Sequence, residues 1–341
     1  MAARAVQLCG IALLAAAEVT SLVTGTGWAP WRALLTGVGV TALTARLLTL
    51  DAGAHRGIGL LAWLGVGLAG TAGVTQAASG TATGFCRGSW SGALDVCAPG
   101  AFVRVTGTYP NPNLLAAALL LLLPLAVGWV ASTQRDPAQR LIGWTVVAVG
   151  VVALALTGSR AGALGALVAV AAYLVLRRPS RVRVRMGLAG GVAAVALLGA
   201  GGWWLAGGDL GVRGTIWRAA VRLVLDHPLG VGLGQGGAAL QATAGVGPAY
   251  QHAHNLWLSW FVETGVPGGL AVLAITAALA MGVVRAARDG STWATTYGCS
   301  LAGFATMGLL DHAANAERIA LLLWVVVGAT AAVWSHRAPR P

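Results

Sequence analysis

The chain has 341 residues, of which 57% are hydrophobic and only 9% charged, with a mean hydropathy of +0.76 and a net charge of +12. A water-soluble globular domain carries about 25% charged residues, so these figures exclude one. No Lys is present, so all 22 basic residues are Arg. They lie in short stretches between apolar runs, where the positive-inside rule accounts for them better than nucleic-acid binding does.

A hydrocarbon core about 30 Å thick takes roughly 20 helical residues to cross, and a helix satisfies its own backbone there. Apolar runs at 5–24, 31–50, 57–78, 112–132, 141–158, 161–177, 186–206, 266–284, 292–311 and 318–335 predict about 10 transmembrane helices in a single integral membrane domain, 1–341. The first run follows Arg4 as a signal peptide would, but the spans after it make it an uncleaved helix. With the N-terminus in the cytoplasm, 14 of the 22 Arg fall on that side, most densely from Arg177 to Arg185. Arg32, Arg87, Arg104, Arg160, Arg213, Arg218, Arg222 and Arg318 face outward. Trp28, Trp31, Trp129, Trp144, Trp203, Trp204, Trp293 and Trp334 sit near span ends, as an aromatic belt requires.

Two outward loops interrupt the pattern, 79–111 and 207–265. The first holds Cys86 and Cys97, for which a disulfide is expected where the loop meets an oxidising compartment. Cys9 and Cys299 fall inside spans and read as packing residues. In the second loop, Arg213 to Leu225 predicts a short amphipathic helix lying along the membrane surface. On it Arg218 and Arg222 share a face from which Arg213 points away. The run from His227 to Gly234 then breaks the helix with Pro228 and repeated Gly.

Few residues are left to do chemistry. Arg160 lies in the tight turn between the fifth and sixth spans; buried or half-buried there it would need an anionic partner, and guanidinium suits phosphate. Arg213 lies near a helix start, where backbone amides also favour phosphate, and two arginines suit a diphosphate. His252, His254 and Asn255 head a helix running to Glu263, and a histidine at a lipid–water boundary is a natural general base. As metal ligands His252 and His254 lack a third partner at convincing spacing, so no metal is expected. The absence of an Asp-x-Asp pair, a P-loop and a dinucleotide fingerprint leaves no cofactor implied.

The segments Gly107–Asn113, Thr157–Gly162, Arg213–Trp217, His227–Gly234 and His252–Gly268 together resemble the O-antigen ligase family, which includes O-antigen ligases, O-antigen polymerases and bacterial protein O-oligosaccharyltransferases. The resemblance implies a metal-independent glycosyltransferase of GT-C-type fold in the bacterial inner membrane, with its active site on the extracytoplasmic face; attack of an acceptor hydroxyl on the anomeric carbon is expected to invert it. It implies a glycan donor on undecaprenyl diphosphate, a glycan, lipid or protein acceptor, membrane lipids around it, and no nucleic acid. Arg160 and Arg213 match the family arginines that hold the diphosphate, and His254 the histidine assigned to the acceptor. Asn113, His252, Asn255 and Glu263 are the further substrate-binding candidates. The chain is shorter than most members, and its span count is below theirs. The rival class is a transporter or lipid-linked glycan flippase; the halves show no evident repeat, and the polar residues gather at one interface.

Overall fold

A computed structural model of the chain describes residues 13–17, 19–20, 23–25, 28–51, 53–80, 83–86, 101–133, 136–177, 211–247 and 252–335. Its helices, in chain order, are α1 (Trp28–Leu50), α2 (Ala54–Ser79), α3 (Pro112–Thr133), α4 (Pro137–Leu156), α5 (Arg160–Leu176), α6 (Gly211–Asp226), α7 (Gly236–Ala244), α8 (Leu256–Arg288) and α9 (Thr292–Gly308). A 3-10 turn (Ala313–Asn315) and α10 (Glu317–Ser335) follow. Among the described residues the only bridge noted outside helices pairs Cys86 with Val103.

The described residues fold into helices, joined by loops, in the manner of a polytopic membrane protein. Trp31–Leu50, Ala54–Ser79, Pro112–Thr133, Pro137–Leu156 and Leu256–Arg288 are long and apolar enough to cross a membrane, and Arg160–Leu176 is a shorter apolar helix. The expected span 186–206, most of 5–24, the arginines from Arg178 to Arg185, and Cys97 lie outside the described residues. Cys86 is disulfide-bonded, whereas Cys299 is a buried thiol. One boundary differs from expectation in a way that matters. The run 292–311 reads as a span, but the helix ends at Gly308, leaving Asp311 in the connection to α10.

α3 is apolar on every side and forms the centre, with Leu115, Leu119, Leu121 and Leu125 almost wholly buried. α2 turns Gly59, Ala62, Val66, Ala69 and Gly73 inward towards α3 and α4, while Leu60, Leu61, Leu64 and Leu68 face outward. Small side chains inside and large ones outside reverse the pattern of a soluble protein. Lipid is as apolar as the core, so close approach of backbones, rather than polarity, decides which face turns in. The crossing of α5 and α9 follows the same rule: a Cβ on Gly165 would lie 2.6 Å from the carbonyl oxygen of Gly303.

Beyond the bundle, α6 and α7 build a second small core from Ile216, Ala219, Ala220, Leu223 and Leu240, with Ala253 and Val262. The Gly-rich run after His227 locks onto a break in α8. Val231 N donates to Val262 O at 2.9 Å, Gly232 N to Glu263 O at 3.1 Å, and Val266 N to Pro228 O at 2.8 Å. Pro267 lacks the N–H that would continue the ladder, and Gly265 takes φ 69°, ψ −172° at the break. A Cβ on Gly265 would sit 2.4 Å from Pro228 O, and one on Gly230 2.5 Å from Glu263 O. Only glycine permits two chains this close.

Candidate functional site

Five chain segments meet at one end of the bundle: the loop leading into α3, the turn between α4 and α5, the start of α6, the loop before α8, and the connection after α9. The turn is built by Thr157, Gly158 (φ 59°) and Ser159, whose hydroxyl accepts from Gly162 N at 3.1 Å and caps α5. Arg160 is thereby the first residue of α5, and it is exposed.

The loop before α8 owes its shape to alternation. Ala253 is fully buried in the small core, and Trp217 Nε1 of α6 donates to its carbonyl at 2.8 Å. With the middle residue turned inward, His252 and His254 share the other side, their ring centroids 4.5 Å apart. Asn255 then fastens the loop twice. Its Oδ1 accepts from Leu258 N at 2.9 Å, capping α8, and its Nδ2 donates to Leu309 O at 3.0 Å. His254 lies between these anchors at φ 48°, a left-handed conformation that costs a non-glycine residue about 1–3 kcal/mol.

The partner of both histidines is Asp311. His254 Nδ1 is 3.4 Å and His252 Nε2 3.6 Å from its Oδ1, and His312 N donates to the same oxygen at 2.8 Å. Asn113 Nδ2 donates to Oδ2 at 2.9 Å. Asn113 Oδ1 in turn accepts from Arg104 Nη2 at 3.0 Å, and Arg104 Nε donates to Thr157 O at 2.7 Å. The result is a continuous polar chain from the Arg160 turn to His254.

Charge at the site is uneven. Burial lowers the pKa of Arg104, the nearby charges of Arg160 and Arg213 lower it further, and Asp311 opposes them. Burial alone would raise Asp311, but its hydrogen bonds from His254 and His312 and the nearby histidine charges hold it below the usual carboxylate range. Burial pushes His252 down to about 4, with His254 and Arg213 adding and Asp311 opposing. His312 is pushed down to about 3, chiefly by burial. At the rim, burial raises Tyr109, against the charge of Arg318. Among the described residues no carboxylate forms an ion pair with Arg160 or Arg213.

His252, His254 and Asp311 offer ligand atoms within 4.8 Å of one another, a spacing at which a cation could be held. The guanidiniums of Arg104 and Arg213 oppose a dication there and favour an anion beside the cluster.

The arrangement brings Arg160 and Arg213 into the electrostatic reach of Arg104, and His252, His254 and Asn113 around one carboxylate. Glu263 lines a small cavity with His252 and Ala253. Its Oε2 accepts from Gly234 N at 3.1 Å and its carboxylate from Gly236 N at the start of α7, so it fastens the Gly-rich run. Asp311 and Arg104 carry no local motif. The one sequence signal for Asp311 is an ionisable residue closing an otherwise apolar run, which is itself a flag for function.

Fold and site together define a polytopic helical membrane protein with an electropositive polar centre at one end of its bundle. Residues 145–273, from within α4 to within α8, match the family model described as O-antigen ligase. No curated protein matches the chain.

Proposed function

We propose that the protein transfers a glycan from undecaprenyl diphosphate to an acceptor hydroxyl on the extracytoplasmic face of the bacterial inner membrane, as an O-antigen polymerase or ligase does. The observation that carries this reading is the gathering of three arginines beside a histidine–carboxylate pair, with Asp311 the acidic partner of that pair.

In this reading Arg160 and Arg213 hold the diphosphate. As the anomeric C–O bond to the diphosphate breaks, the electron pair leaves with the phosphate oxygen, and fixed guanidiniums stabilise the charge that develops. The acceptor oxygen attacks the anomeric carbon from the opposite side, with inversion. Its proton passes to His254. Asp311, 3.4 Å from Nδ1, orients the ring and stabilises the imidazolium that forms. The diphosphate is already an activated leaving group, so neither nucleotide nor metal is required.

The test is transfer from a labelled lipid-linked glycan by purified protein with a chelator present and no ion gradient. Transfer is expected, and Arg160→Ala is expected to abolish most of it. Wild-type rates from Arg160→Ala would overturn the assignment. Transport of the intact lipid without transfer would favour a flippase. Mass spectrometry of the product separates polymer, lipid-linked and protein-linked glycan.

A further inference from the structure

Arg104 is a third guanidinium placed where two already repel it, and its position is fixed by specific bonds. Of its five N–H donors, Nε is directed at Thr157 O at 2.7 Å and Nη2 at Asn113 Oδ1 at 3.0 Å. Thr157 is buried and opens the turn that presents Arg160. A Cβ on Gly158 would lie 3.3 Å from Arg104 Cγ, so the turn rests against the arginine's stem. On the other side, the Asn113 amide passes the connection on by donating to Asp311 Oδ2 at 2.9 Å.

We propose that Arg104 is a positioning residue: through Asn113 it fixes the spacing between the turn that carries Arg160 and the Asp311–His254 pair. The inference rests on the glycosyl-transfer reading and deepens it. Donor diphosphate and acceptor hydroxyl are held by segments far apart in sequence, and an in-line displacement needs the two registered. A planar fork with two occupied arms sets such a distance; a Lys ammonium on a flexible stem does not. The attraction of Asp311 opposes only part of the repulsion from Arg160 and Arg213 that its position entails.

The experiment compares steady-state transfer from a synthetic polyprenyl-diphosphate-linked sugar by full-length wild type, Arg104→Gln, Arg104→Lys, Asn113→Ala and the Arg104→Gln/Asn113→Ala double variant. A misplacement of about 1 Å can cost about 10²-fold in rate. The expected result is therefore a kcat roughly 10- to 100-fold lower with donor KM within about threefold, and no rescue by Lys. Because both substitutions cut one link, the double variant is expected to be no more than about twofold worse than the poorer single one.

A raised donor KM with kcat preserved, or losses that multiply in the double variant, would make Arg104 a direct anion contact and overturn the proposal. If Arg104→Gln does not fold, Asn113→Ala carries the same test with the arginine in place. An active wild type with indifferent variants sinks this inference alone. A wild type that transfers from no lipid diphosphate sinks the glycosyl-transfer reading, and this one with it.

Discussion

His254 keeps a left-handed backbone, uncommon for a non-glycine residue, between the buried Ala253 and the anchored Asn255. The strain aims the imidazole at Asp311, which makes both residues sensitive to small changes. His254→Ala and Asp311→Asn are each expected to lower transfer by about 10²- to 10⁴-fold, the usual contribution of a positioned general base, in protein that still folds. Equal rates for Asp311→Asn and wild type would detach the carboxylate from the chemistry.

The same cluster sets an acid limit on stability. His252 and His312, lowered from 6.5 to about 4 and about 3, stay neutral in the fold, while an unfolded chain protonates them near 6.5. Below that value the unfolded state binds more protons, so stability falls as pH drops towards 4. Asp311 acts in the same sense lower down: its contribution is present above the ordinary 3.8 and is lost as pH falls through its depressed value. Thermal unfolding in detergent, followed from about pH 7 to about pH 4, is expected to show this decline. His312→Gln is expected to flatten it; an unchanged slope would remove His312 from the account.

At the scale of elements, the clasp between the Gly-rich run and the break in α8 holds the α6 and α7 region against the bundle. Gly265→Ala adds a Cβ 2.4 Å from Pro228 O at φ 69°, whereas Gly245→Ala, at φ 64°, meets nothing within 4 Å. The first is expected to cost well over the roughly 1–2 kcal/mol of left-handed strain that the second costs alone. Unfolding measured on both variants checks it, and equal losses would mean the contact relaxes. Much of this level was legible in the sequence. The apolar runs gave most helix positions, Asn255 marked the α8 start, and Arg160 and His254 stood in recognisable local patterns. Asp311 was not legible, because its partners lie far upstream and its own neighbours resemble a span end. Arg104 looked like any other outward arginine until Asn113 and Thr157 were seen to hold it. Glu263, expected near substrate, meets Gly234 and Gly236 through folding that spacing does not encode.

At the scale of the whole molecule, Arg160, Arg213 and His254 gather at one end, while His55, 2.8 Å from Tyr297 Oη, lies near the start of α2 at the other. The proposed orientation can be checked by thiol labelling of intact spheroplasts. Arg218→Cys is expected to react with a membrane-impermeant reagent, and Arg288→Cys only after lysis; the reverse pattern would invert the topology. The surplus of guanidinium over carboxylate around Asp311 has a kinetic corollary. Attraction that draws in a charged carrier does not vanish when its sugar departs. In the proposed reaction the discharged carrier diphosphate should therefore linger as a competitive inhibitor, and its escape, rather than bond-breaking, should pace each cycle. A rapid first turnover followed by a slower steady phase, shortened by added salt, would be the signature.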